Sequence, residues 1–218
     1  MAATRKDKNM HPINARLTSW ALIIGSVVAT AGYAAAFAVN GSGDQRFAGS
    51  SWVTLYTIAL LGDVIVLLGL PALLQAQKGR APALTRIGYV GVFVPLVILN
   101  IGEGSLEAFV KPYQADHGGI PGQDLPGLAA YEAPALLVLL VGMVCLGIAV
   151  LRARVLPRWI GALFMVVPFL GAAGLKGAVS LTPDYLLFIG LLTIGVIQLR
   201  ELRGQESTER SAVAAQPA

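Results

Sequence analysis

Two acidic residues of this 218-residue chain stand inside long apolar stretches: Asp63 in Leu60-Leu61-Gly62-Asp63-Val64-Ile65 and Glu103 in Ile101-Gly102-Glu103-Gly104. On insertion scales, an ionisable side chain withdrawn into such a stretch costs about 2.5–3.5 kcal/mol, so it persists where something pairs with it or uses it. Asn100, Glu103 and Glu107 follow at i, i+3 and i+7, which is one face of a helix. Glu132 precedes Pro134, Lys176 stands in Leu175-Lys176-Gly177, and Asp184 follows Thr182-Pro183. Tyr33 and Tyr56 fall at similar depth in their own apolar runs. Crowded, partly buried carboxylates have altered proton affinities and suit proton relay, general acid/base work or cation binding. The expectation is a pocket formed by Asp63, Asn100, Glu103, Glu107, Glu132, Lys176, Tyr33 and Tyr56. Asp63 and Glu103 are the candidate acids for any catalysis, and Lys176 is a possible counter-charge for Glu103. Glu107, Glu132 and Asp184 also have a plainer reading as interfacial residues reaching water, with Asp184 capping its helix.

The elements that must carry these groups follow from composition. Hydrophobic residues make up 56% of the chain and charged residues 13%, against about 45–50% and about 25% in an ordinary soluble domain. Apolar runs fall at roughly 17–39, 52–75, 87–110, 129–151, 159–178 and 183–199, most of them longer than the roughly 18 residues that mark a spanning helix. In hydrocarbon every backbone polar group must be paired within the protein, which leaves helices or a closed barrel. Barrel strands alternate apolar and polar residues; these runs are continuous and rich in Leu, Ala and Val, so the expected fold is an all-α transmembrane bundle of six spans. The first run is too long for the apolar core of a signal peptide and is expected to remain as a span.

Charge sets the orientation. The N-terminal segment, the second and fourth loops and the C-terminal segment hold all the Lys and Arg except Arg46, Lys111 and Lys176. The positive-inside rule then places both termini in the cytoplasm, and the acidic groups other than Asp63 in the outer half. Trp20 and Trp159 mark the inner interface; Trp52, Tyr113, Tyr131 and Tyr185 mark the outer one. Residues 1–16 form a cytoplasmic tail, 17–200 the membrane domain, and 201–218 a polar, disordered cytoplasmic tail.

Several chemistries are excluded or weakened. Cys145 is the only cysteine, so neither an intrachain disulfide nor a two-cysteine metal site can form. His11 and His117 lack ligand spacing, so no metal is expected. No phosphate-binding or dinucleotide motif appears, and no cofactor is expected. The basic residues are sorted between loops, not clustered, so the net charge of +4 is no sign of nucleic acid. Gly171-Ala172-Ala173-Gly174 is spaced for close helix packing, and Pro71, Pro95 and Pro168 are expected to kink their helices.

A faint repeat links two segments. Leu84-Thr85-Arg86-Ile87-Gly88 and Leu156-Pro157-Arg158-Trp159-Ile160-Gly161 each lead to a proline (Pro95, Pro168) and then to a glycine-flanked charge (Glu103, Lys176). The segment from Leu151 to Gly161, together with Glu103-Gly104-Ser105-Leu106-Glu107-Ala108-Phe109 ahead of Lys111-Pro112, resembles small actinobacterial-type six-helix integral membrane proteins, a domain-of-unknown-function group. The resemblance implies a six-helix bundle in a bacterial plasma membrane and carries no activity with it. Three functions stay open: a binder or transporter of a small molecule, lipid or proton; an intramembrane acid/base enzyme acting on a lipid or isoprenoid, of isomerase or cyclase type; and an accessory subunit whose buried charges pair with a membrane-protein partner or a second copy.

Overall fold

The apolar runs are helices. The computed structural model describes residues 12–41, 43–77, 80–119, 127–173 and 182–214, and no strand occurs among them. Helix α1 (Pro12–Asn40) is followed by a 3-10 turn (Asp44–Ala48). Then come α2 (Trp52–Gly69) and, after a break at Leu70 before Pro71, a short α3 (Pro71–Ala76). Helix α4 (Pro82–Leu96) continues through two π-helical segments (Val97–Glu103, Leu106–Val110) into α5 (Lys111–Asp116). The remaining helices are α6 (Leu128–Ala153), α7 (Arg158–Ala172) and α8 (Thr182–Ala214). With α2–α3 and α4–α5 each counted once, these make six rods among the described residues. Five are long and apolar enough to cross a membrane; α7 is apolar but only 15 residues long.

Both expected tails are shorter than the sequence suggested. Residues from Pro12 onward already belong to α1, and α8 continues past residue 200 to Ala214. Extending an existing helix needs no new nucleus, and a segment rich in Glu, Gln, Arg and Ala propagates readily. An ion pair between Arg16 and Glu206 also holds α8 to the start of α1.

The rods pack in chain order: α1 on α2, the α4 rod on α6, α6 on α7, α7 on α8, and α8 back on α1. The π-helical segments touch α2 and complete the ring. Small residues set several of these contacts. A side-chain carbon at Gly25 would lie 2.5 Å from the Val66 nitrogen, and one at Gly32 would lie 2.7 Å from that of Ala59. Gly69 meets Leu22 in the same way, Gly91 meets Gly142 between α4 and α6, and Gly147 meets Gly161 between α6 and α7. Backbones this close gain dispersion contact that bulkier residues would forbid.

Helix α1 shows how the bundle is turned relative to a soluble one. Ser19, Leu22, Ser26, Ala29, Tyr33 and Ala36, at alternating spacings of three and four, are buried. Leu17, Trp20, Ile24 and Val27 face outward. Large apolar side chains outside and small or polar ones inside suit hydrocarbon surroundings.

The two ends differ. One carries Arg16, Arg80, Arg86, Arg152, Arg154, Arg158 and Arg200 and is called the arginine end here; the other, with Glu103, Glu107, Glu132 and Asp184, is the acidic end. Toward the arginine end the interior is filled by Leu22, Leu70, Leu73, Leu146, Ile160, Phe164 and Ile194, all fully or almost fully buried. Several buried polar groups there are matched. Ser19 donates to Gln198 Oε1 at 2.9 Å, Gln198 donates to the Ala72 carbonyl at 2.6 Å, and Thr85 donates to Gln77 Oε1 at 2.7 Å.

Replacing Gly32 with leucine is expected to force α1 and α2 apart, at about 1–3 kcal/mol of overpacking or more. The variant should unfold at a distinctly lower temperature in detergent, whereas Gly204→Ala, inside α8 where the added carbon meets nothing within 4 Å, should not lower the midpoint, since alanine favours a helix more than glycine does.

Candidate functional site

The third rod departs from α-geometry where its polar residues begin. Pro95 lies inside α4 and cannot donate a helical hydrogen bond. From Val97 the rod runs mostly as π-helix, wider than an α-helix because each turn closes through five residues instead of four. Gly102 and Gly104 flank Glu103, and neighbouring rods close in on both. A side-chain carbon at Gly104 would lie 2.6 Å from Leu60 Cδ2, and one at Gly102 would lie 2.8 Å from the Tyr131 hydroxyl. The two glycines therefore let α2 and α6 approach on either side of the acid.

At this end the ring encloses a cavity of about 630 Å³ to which all six rods contribute. Tyr33 and Phe37 come from α1, Tyr56 from α2, and Asn100, Glu103 and Glu107 from the third rod. Glu132 comes from α6, Pro168 from α7 and Asp184 from α8. Leu96, Leu99, Leu140, Met143, Val167 and Leu187 supply apolar wall. Glu103 lies within the electrostatic reach of Glu132, Glu107 and Asp184, with Lys111 as the opposing charge.

Arg46 and Lys111 both bind Glu107. Arg46 Nη2 lies 3.4 Å from Glu107 Oε2, and Lys111 pairs with Oε1 one helical turn away. Glu107 is also held through its backbone, because Trp52 Nε1 donates to its carbonyl at 2.9 Å. Around this knot, Phe37 and Phe47 meet Trp52 edge-on at 5.4 and 5.3 Å, and Tyr56 lies 5.0 Å from it. The Arg46 guanidinium covers Phe47 at 4.2 Å, a cation–π arrangement. Among the described residues, the carboxylates of Glu103 and Asp184 make no ion pair and accept no hydrogen bond.

Asp63 occupies a separate position. It is 3% exposed and does not line the cavity. The Tyr33 hydroxyl, whose ring does line it, donates to Asp63 Oδ2 at 2.6 Å. Asp63 Oδ1 is buried without a hydrogen bond of ordinary geometry, although the Asn100 amide reaches toward the same carboxyl. Ser26 Oγ, also buried, has no partner.

Of the residues expected to form a pocket, Tyr33, Tyr56, Asn100, Glu103, Glu107 and Glu132 therefore line one cavity, and Asp63 joins it through Tyr33 and Asn100. Lys176 lies outside the described residues. Asp184 lines the cavity as well. Sequence reasoning gave no site role to Arg46, Phe37 or Phe47. The one available signal was Arg46 itself, a basic residue on the side otherwise poor in them. Trp52 is fully buried in the aromatic cluster and so is not an interfacial belt residue, whereas Tyr113 and Tyr131 are exposed as expected. His117 stacks on Tyr113 at 4.0 Å, and no group of three or more metal-ligating side chains occurs among the described residues. Comparison of the chain with protein families, with curated proteins and with solved structures finds no match.

Tyr33→Phe removes the one hydroxyl bonded to a carboxylate that is almost fully buried, at an expected cost of about 1–3 kcal/mol. The Tyr33→Phe, Asp63→Leu double variant should be less destabilised than the sum of the two single changes, because removing both partners strands neither. Strict additivity in unfolding midpoints would show that the bond contributes nothing.

Proposed function

We propose that the chain is a six-span protein of a bacterial plasma membrane, with both termini cytoplasmic and α7 as the short fifth span. Its cavity, in the outer half, binds a small amphiphile carrying a positive charge. One observation carries this reading: the cavity combines apolar walls with the carboxylates of Glu103 and Asp184 from two different rods, while Arg46 and Lys111 are both drawn to Glu107. A cation placed among the acids gains Coulombic attraction in surroundings poorer in water than the surface, and the rings of Tyr33, Tyr56 and Phe37 offer faces to it. The place of Glu103 in the cavity wall weighs against an accessory subunit, which would turn that charge toward a partner. The filled interior at the arginine end favours a binding compartment over a continuous path.

A second reading has its own support. Tyr33 faces the cavity with Asp63 bonded behind it, an arrangement able to pass a proton to or from a bound molecule. An intramembrane acid/base enzyme would use this pair, and Tyr33→Phe would abolish turnover while leaving binding intact.

Trp52 touches the cavity-lining Tyr56 and reports on occupancy. Benzyltrimethylammonium titrated into purified protein in nanodiscs should change tryptophan emission saturably, and neutral benzyl alcohol should not. Glu103→Gln and Asp184→Asn, each checked for an unchanged unfolding midpoint, should weaken binding about tenfold or more, equivalent to about 1.4 kcal/mol. Equal responses to the ion and the alcohol, or full affinity in both variants, would sink the proposal.

A further inference from the structure

The cavity has a side as well as an end. Helices α6 and α7 touch where Gly147 meets Gly161, toward the arginine end. At Gly171, near the end of α7, a side-chain carbon would meet nothing within 4 Å, although this residue lines the cavity. On α6, Leu136 and Leu137 also line the cavity, yet are 46% and 66% exposed. Side chains that belong to both the cavity wall and the outer surface of the bundle form a rim. The α1–α2 side is built differently: Phe47 and Trp52 are almost wholly buried there, with the Arg46 guanidinium laid over Phe47.

We infer that the ligand is a long-chain amine, that is, a cationic headgroup on an alkyl or isoprenoid chain. Its head sits by Glu103 and Asp184, and its chain leaves sideways between α6 and α7 into the surrounding lipid. The inference rests on the cavity reading above and adds the class of ligand and the route of its tail. The rim residues are all apolar or glycine, so a chain crossing them leaves no buried polar group without a partner. A purely water-soluble cation would bury none of this wall outside the cavity, and about 25 cal/mol of driving force per Å² of apolar surface would go unused.

The test uses the full chain in nanodiscs and a dodecyltrimethylammonium ion carrying a photoreactive diazirine on its terminal carbon. After illumination, the labelled residues are mapped by mass spectrometry, with and without excess benzyltrimethylammonium. Labels on α6 at 133–137 and on α7 at 167–171, removed by the short competitor, are the expected result. Competed labels on Leu96, Met143 or Leu187 would place the tail in the cavity floor, overturning the sideways route while leaving the cavity reading intact. Labels scattered over the outer surface and insensitive to the competitor would overturn both.

Discussion

A ring of six rods is hard to fill. Helices are about 10 Å across, and six equal cylinders around a circle leave a central space about as wide as one of them. Side chains alone must occupy that space. Toward the arginine end they do so, with Leu22, Leu70, Phe164 and their neighbours interdigitating and α3 reaching α8 through the Gln198–Ala72 hydrogen bond. Toward the acidic end the π-helical widening of the third rod and the aromatic cover over Glu107 leave the space open. The cavity is what remains of a geometry that half the molecule has managed to fill.

The acids therefore fall into two kinds. Asp63 is locked against Tyr33 and almost out of reach of solvent, so its first effect is on which arrangement of α1 and α2 is stable. An unbonded carboxyl at that depth would be costly, and the hydroxyl offsets part of the cost. Glu103 and Asp184 stand in the cavity wall without direct partners among the described residues. They hold charge where a bound molecule can use it. Tyr33 touches both settings, with its hydroxyl on the buried acid and its ring on the cavity.

Much of this was written in the sequence at the level of elements. Hydropathy gave the helices because backbone pairing leaves a run of that length few alternatives, and the 3-4-7 spacing of Asn100, Glu103 and Glu107 put them on one face even though the rod there is π-helical. Other features were hidden because they arise only from contacts between distant segments. Trp52 looked like a belt residue until the turn carrying Phe47 folded back over it. The role of Arg46 depends on a partner 61 positions away. The close contacts of α6 with α4 and α7 fall where glycines meet, and a glycine in a sequence does not say which neighbour it will touch. The polar segment after Gly204 was judged by its lack of a buried face, when the helix already formed before it was the stronger influence.

Helix α8 has a mechanical consequence. It is 33 residues long, about 50 Å at 1.5 Å per residue, against a hydrocarbon layer about 30 Å thick. It begins beside Asp184 in the cavity wall and contains no proline after its first turn. Such a rod behaves as a lever with its short arm in the cavity. A tilt of about five degrees at one end displaces the other by roughly 4 Å over that length, so a molecule that seats against Asp184 has a stiff mechanical connection to the far end of the protein.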